Sequence, residues 1–134
     1  VVLALIWAVV VYWNEEYYIR HALISALEFV DGYVLIDGAY NQGEMDYYFS
    51  TDKSNSFIEK FIEEYKDKKA FIWFAPITFE YTYASYNSQE IFFRVQEKGW
   101  QSEMEKRNFA LDFIRNGDWM VILDGDSMLI GDPE

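Results

Sequence analysis

The run from Leu3 to Tyr12 is apolar almost without a break and rich in Val and Ile. A strand with one wet face alternates apolar and polar residues. This run does not alternate, so it is expected to be a strand buried on both faces. It is also too short to span a membrane, which takes ~20 apolar residues. The stretch Val1 to Trp13 carries neither a basic flank nor a secretory cleavage signal. Strands buried on both faces belong to parallel sheets with helices on either side, so this one run already favours an α/β fold.

The rest of the chain continues that pattern. Asn14 offers an N-cap, and Glu15 and Glu16 follow where the helix dipole favours acids. Ile19, Leu23, Ala26, Leu27 and Val30 recur at helical spacing, which predicts a helix over 15–30. Asp31-Gly32 turns the chain into a second strand, Tyr33 to Ile36, which ends in Asp37-Gly38. Residues 39–53 are polar, Tyr-rich and without period, as a loop would be. Ser56 and Glu59 have capping-box spacing, and Phe57, Ile58, Phe61, Ile62 and Tyr65 give a second amphipathic helix. Ala70 to Phe74 reads as a third strand, broken by Pro76. Residues 77–99 read as irregular, with a short aromatic hairpin. Ser102 and Glu105 repeat the capping box, and a third helix is expected to reach Arg115, where Asn116-Gly117 stops it. Trp119 to Asp124 is the fourth strand.

This alternation predicts a single α/β domain, a three-layer sandwich around a mostly parallel sheet. Right-handed crossovers point all four strands the same way. With strand order 3-2-1-4 the direction of growth reverses beside the first strand, where open α/β sheets bind ligands. Three polar clusters would meet at that edge: Asn14-Glu15-Glu16, Asp37-Gly38 and Asp124-Gly125-Asp126.

Asp124 and Asp126 are the chemically strongest pair. Hard cations such as magnesium and manganese take carboxylate oxygens and share phosphate ligands. A metal held there would offset charge on a phosphate leaving group. A solvated turn after a strand would look the same in isolation. Asp37 suits a ribose or a base, or a plain turn beside Gly38. Tyr12 and Trp13 suit a stacked base, or the core. Lys106, Arg107 and Asn108 reach a diphosphate from one helix face and water from the other. His21, the one histidine, lies in an amphipathic helix and reads as structural, and one histidine excludes a multi-histidine zinc site. With no cysteine there are no disulfides or thiolate sites. A net charge of −12 argues against a nucleic-acid partner. Walker and G-x-G-x-x-G phosphate loops are absent.

The chain resembles family 2 glycosyltransferases with the GT-A (Rossmann-like) fold. The matching pieces are Val9-Val10-Val11-Tyr12-Trp13-Asn14-Glu15-Glu16, Phe29 through Gly38, Lys106-Arg107-Asn108-Phe109-Ala110-Leu111, Gly117-Asp118-Trp119 and Leu123-Asp124-Gly125-Asp126. Their order and spacing fit across nearly the whole chain. The resemblance implies a nucleotide-diphospho-sugar donor, held by Tyr12, Trp13, Asn14, Glu16, Asp37, Arg107, Asn108 and Asp124. It implies Mn2+ or Mg2+ on Asp124 and Asp126, with Asp126 the direct ligand. The reaction would be inverting transfer of a sugar to an acceptor hydroxyl on a glycan, lipid or protein. It would take place in the cytoplasm or at a membrane surface. Where many members carry Pro-Thr-Tyr before the Asn, this chain has Val11-Tyr12-Trp13. In that family the catalytic base follows the Asp-x-Asp acids, so it is expected beyond Glu134. Residues 1–134 are expected to be the donor-binding half of one GT-A domain, incomplete at the carboxyl end.

Two other readings compete. Val121 to Ser127 also resembles the first motif of haloacid-dehalogenase-type phosphatases, with Asp124 as nucleophile and Asp126 as acid/base. That reading leaves the Asn-Glu-Glu, Asp-Gly and Lys-Arg-Asn pieces unused. The chain would alternatively bind nucleotide without catalysing anything.

Overall fold

A computed structural model of the chain describes residues 4–40, 50–74, 100 and 102–126. The elements run β1 (Ile6–Tyr12), α1 (Ile19–Ala26), β2 (Gly32–Asp37), α2 (Ser54–Tyr65), β3 (Ala70–Phe74), α3 (Glu103–Asn108), a 3₁₀ turn (Phe109–Asp112) and β4 (Trp119–Asp124). The aromatic hairpin expected within 77–99 and most of the loop expected over 39–53 lie outside the described residues, as does Pro76.

The four strands form one sheet in the order β3-β2-β1-β4, and every pairing is parallel. β1 sits inside it, which accounts for its unbroken apolar run. Its side chains alternate between two cores. Ala8, Val10 and Tyr12 join Leu23 and Ala26 of α1 and Ile58, Phe61 and Ile62 of α2. Trp7, Val9 and Val11 face the other way, toward Trp100, Ala110, Phe109 and Phe113. The result is a three-layer α/β arrangement, with α1 and α2 on one face and the segment from α3 to Phe113 on the other.

The helices are shorter than their apolar spacing suggests. α1 begins at Ile19, not at residue 15, and Asn14 caps no helix. Asn14 has φ 51, in the left-handed region where Asn is better tolerated than most residues. Its Oδ1 accepts from the backbone N–H groups of Thr51 and Asp52, at 2.8 and 3.3 Å. A turn closed by Tyr18 and Ile19 N–H on the Glu15 carbonyl precedes the helix. α2 starts at Ser54, two residues before the expected cap Ser56, and its N-cap position is Lys53. Asp52 does the capping work here, accepting from Ser54 N–H at 2.9 Å. In α3 the expected cap holds: Ser102 Oγ accepts from Glu105 N–H at 3.1 Å. That helix then tightens at Phe109 into the 3₁₀ turn rather than running to Arg115. Gly117, at φ 96, turns the chain into β4.

Acids at the amino edge of the sheet hold the strand starts in register. Asp31 Oδ2 accepts from Ile6 N–H at 2.8 Å. Asp118 accepts from Leu5 N–H at 3.0 Å and from Trp7 Nε1–H at 3.1 Å, and pairs with Arg115. These bonds, the Leu5 N–H foremost, hold the Asp118 pKa below its ordinary value. A carboxylate lowered in the folded state contributes stability above its unfolded pKa, and that contribution is lost as pH falls through the folded one. Asp118→Asn is therefore expected to flatten the acid limb of a plot of urea-unfolding stability against pH. An unchanged limb would show that the ionised Asp118 does not hold this edge.

Candidate functional site

Strand register brings the polar strand ends level. Tyr12 pairs with Asp37 across β1 and β2, and Val11 pairs with Asp124 across β1 and β4. β2 lies on one side of β1 and β4 on the other, so β1–β4 is the point where the sheet changes its direction of growth. A cleft of about 450 Å³ opens there. Trp13, Tyr40, Glu15, Lys106, Asp124 and Asp126 contribute to its walls.

The residues expected from the sequence divide into three groups. Trp13, Asp124 and Asp126 line the cleft. Tyr12 reaches it with its backbone and Cβ end, but its ring turns into the core, so it is not free to stack a base. The Tyr12 hydroxyl donates to Asn55 Oδ1 at 2.6 Å and accepts from Trp73 Nε1–H at 2.8 Å. Asp37 is the second departure. Its carboxylate is 2% exposed, and it is occupied from within. It accepts from Ser50 N–H, from Ser50 Oγ at 2.7 Å and from Asn55 Nδ2 at 2.9 Å. Asn14, Glu16 and Asn108 stand outside the cleft wall. The Asn14 side chain is committed to Thr51 and Asp52, and Glu16 N–H donates to Asp52 Oδ2 at 3.0 Å. Asn108 is exposed at the end of α3. Arg107 stands beside the cleft rather than in it. Its Nη2 bridges Glu103 and Asp124 Oδ1, the latter at 3.2 Å, while its Nε is buried with no hydrogen-bond partner among the described residues.

Two cleft residues, Glu15 and Lys106, take up roles that the sequence left open. Glu15 reads there as a helix-start acid. Instead its side chain lies over Gly125, where an added Cβ would stand 2.7 Å from Glu15 Cγ and 3.0 Å from Tyr12 Cβ. Gly125 thus lets Glu15 close against the Asp-x-Asp turn. Burial raises the Glu15 pKa, and Asp126, Asp52 and Asp124 raise it further. Lys106 reads as one of three polar residues on a helix. In fact it is 2% exposed, and its Nζ donates to the carbonyls of Tyr12 at 2.7 Å and Gly38 at 2.6 Å. Its signal was available. Lys106 and buried Ala110 are four residues apart, so they share the face turned to the sheet. Burial lowers the Lys106 pKa to about 8, against the pull of Asp37, Asp124 and Glu15.

The cleft is therefore acidic, with one buried ammonium in it. Among the described residues, no group of three or more His, Cys, Asp or Glu side chains is arranged to hold a metal. The carboxylates of the turn itself are Asp124 and Asp126, and Glu15 lies over Gly125 between them. Among the described residues, no helix is long and apolar enough to cross a membrane. No protein-family model, curated protein or solved structure matches the chain.

Proposed function

We propose that the cleft holds the diphosphate end of a nucleotide-diphospho-sugar, and that the chain is the donor-binding half of a family 2 glycosyltransferase with the GT-A fold. One observation carries the reading. Asp124 and Asp126 leave the end of β4 beside β1, at the reversal of strand order, in a cleft that also presents a buried ammonium. Trp13 and Tyr40 supply apolar ring surface in the same walls.

Mn2+ or Mg2+ fits this donor set. Magnesium is commonly held by one or two carboxylates with substrate phosphates filling the remaining positions, and two hard-oxygen acids are what the turn offers. Burial first, and then the negative charge of Asp126, Asp52 and Asp124, raise the Glu15 pKa, and that added negative charge favours a cation. When bound, such a cation would neutralise charge on the leaving diphosphate. Asp126 and Asp124 would hold it, and Arg107 would keep Asp124 oriented through its Nη2. Lys106 and the rings of Trp13 and Tyr40 would seat the nucleotide. Sugar transfer with inversion to a glycan, lipid or protein hydroxyl needs a carboxylate base. The phosphatase alternative leaves the Asn14-Glu15-Glu16, Asp37-Gly38 and Lys106-Arg107-Asn108 pieces unused.

Calorimetric titration of the chain with UDP and with GDP tests the proposal. Binding is expected to tighten with Mn2+ or Mg2+ over chelator, and Asp126→Ala is expected to weaken it by roughly tenfold or more. Metal-independent binding, or an unchanged titration for Asp126→Ala, would sink the assignment.

A further inference from the structure

Lys106 is the one buried cation among the described residues, and it sits where charge is expensive. Its ammonium has three hydrogens. Two go to the Tyr12 and Gly38 carbonyls, which are the ends of β1 and β2 at the cleft floor. The third has no hydrogen-bond acceptor among the described residues. The Tyr40 ring stands 5.7 Å from Nζ, on the cleft side.

A neutral amine can still donate two hydrogen bonds, so holding the two carbonyls does not require the charge. Folding alone would favour the neutral form, because a lysine whose pKa is lowered by burial gains stability as pH rises from the folded pKa toward the unfolded one. The charge is instead suited to something that enters the cleft.

We infer that Lys106, clasped to the Tyr12 and Gly38 carbonyls with its third N–H unclaimed by an acceptor among the described residues, makes anion binding in the cleft proton-linked. A diphosphate is taken up while Lys106 is an ammonium and released as it becomes an amine. The diphosphate as ligand rests on the nucleotide reading above.

The charged groups facing Lys106 are the carboxylates of Asp37 at the end of β2, Asp124 at the end of β4 and Glu15 after β1. Asp126, Glu103 and Arg107 complete the nearby charges. Tyr40 is pushed above its ordinary value by burial.

The test is calorimetric titration of the chain with UDP and with inorganic pyrophosphate, both with Mg2+, from pH 7 to pH 9.5. Wild-type affinity is expected to hold to about pH 8, then to fall by up to about tenfold per pH unit. Titration in buffers of different ionisation enthalpy is expected to show proton uptake on binding near pH 8.5. The melting temperature is not expected to follow the fall, since deprotonation does not unfasten the clasp. Lys106→Arg stays charged and should lose the pH step. Lys106→Met should bind more weakly at pH 7 and also show no step. Pyrophosphate gains negative charge as pH rises, and Lys106→Met, which keeps the same cleft acids, reports any weakening that comes from the ligand. A wild-type affinity that stays flat to pH 9.5, or the same slope in Lys106→Met, overturns the inference while leaving the nucleotide reading standing. A pH step for pyrophosphate with no gain for UDP supports the inference and overturns the nucleoside. Failure of both ligands to bind at pH 7 overturns both.

Discussion

Asp37→Ala is expected to lower the unfolding free energy by about 3–5 kcal/mol, because three buried donors would lose their acceptor together. The donors are Ser50 N–H, Ser50 Oγ–H and Asn55 Nδ2–H. They end a chain with only one possible direction. Trp73 Nε1 can only donate, and it donates to the Tyr12 hydroxyl. That hydroxyl donates to Asn55 Oδ1, which leaves Nδ2 to donate to Asp37 Oδ2. A line of donors must finish on a group that only accepts, and an ionised carboxylate is that group. Asp37→Asn keeps the shape but turns a second amide toward Asn55. It should cost about 2 kcal/mol, less than alanine but well above a surface change. The residues fastened by this network also place the cleft wall. Ser50 Oγ accepts from Asn14 N–H at 2.9 Å, and Ser54 Oγ accepts from Glu15 N–H at 2.8 Å. Asp37→Ala should therefore weaken nucleotide titration along with stability. Urea unfolding measures the first effect and calorimetry the second. A loss under about 1 kcal/mol would mean that water replaces the carboxylate.

Asp37 and Asp118 also answer acid with opposite signs. Burial leads in raising the Asp37 pKa, although the bonds from Asn55 and Ser50 pull it down. A raised carboxylate gives its contribution below its unfolded pKa and loses it as pH rises through the folded one. Acid unfolding is therefore not driven by Asp37. Asp118, at the other edge of the sheet, is held ionised by exposed and part-buried donors, and it carries the acid-sensitive share.

The sheet was legible because its signal is redundant. β1 to β4 each show as a short apolar run closed by an acid or a break, and strand order follows from where those acids must meet. β3 and β4 match their expected spans residue for residue. Helix ends were less legible because they depend on partners distant in sequence. Asn14 has the right chemistry for a cap, but Thr51 and Asp52 compete for its Oδ1 and win. The cleft shows the same division. Asp124 and Asp126 were visible because a strand aims them outward. Whether Asp37 faced the cleft or the interior could not be read from one strand. It turns on Ser50 and Asn55, which stand 13 and 18 residues further along the chain. Which face Lys106 takes was open for a related reason. A lysine between Glu105 and Arg107 reads as solvated, and only the position of α3 against the strand ends buries it.

Gly32→Ala separates stability from the cleft. Gly32 opens β2 at the opposite end from Asp37, paired with Trp7 on one side and Ala70 on the other. An added Cβ would stand 2.6 Å from a Trp7 ring carbon and 2.9 Å from the Ala70 carbonyl oxygen. Neither can step aside cheaply. The Trp7 ring is 4% exposed and tethered through Nε1 to Asp118, and the Ala70 carbonyl is backbone. Overpacking of this kind costs about 3 kcal/mol, at the upper end of the usual range. The stiffer unfolded chain returns somewhat under 1 kcal/mol, so a net loss of about 2 kcal/mol is expected. For a chain of this length that is a fall of roughly 6–10 °C in melting temperature. Because the damage lies at the amino edge, nucleotide affinity at a temperature where the variant stays folded should match wild type. Asp126→Ala should show the reverse, with affinity lost and melting unchanged. If Gly32→Ala weakened binding as much as Asp37→Ala does, the two ends of β2 would be mechanically coupled. The cleft would then be a property of the whole sheet rather than of its carboxyl edge.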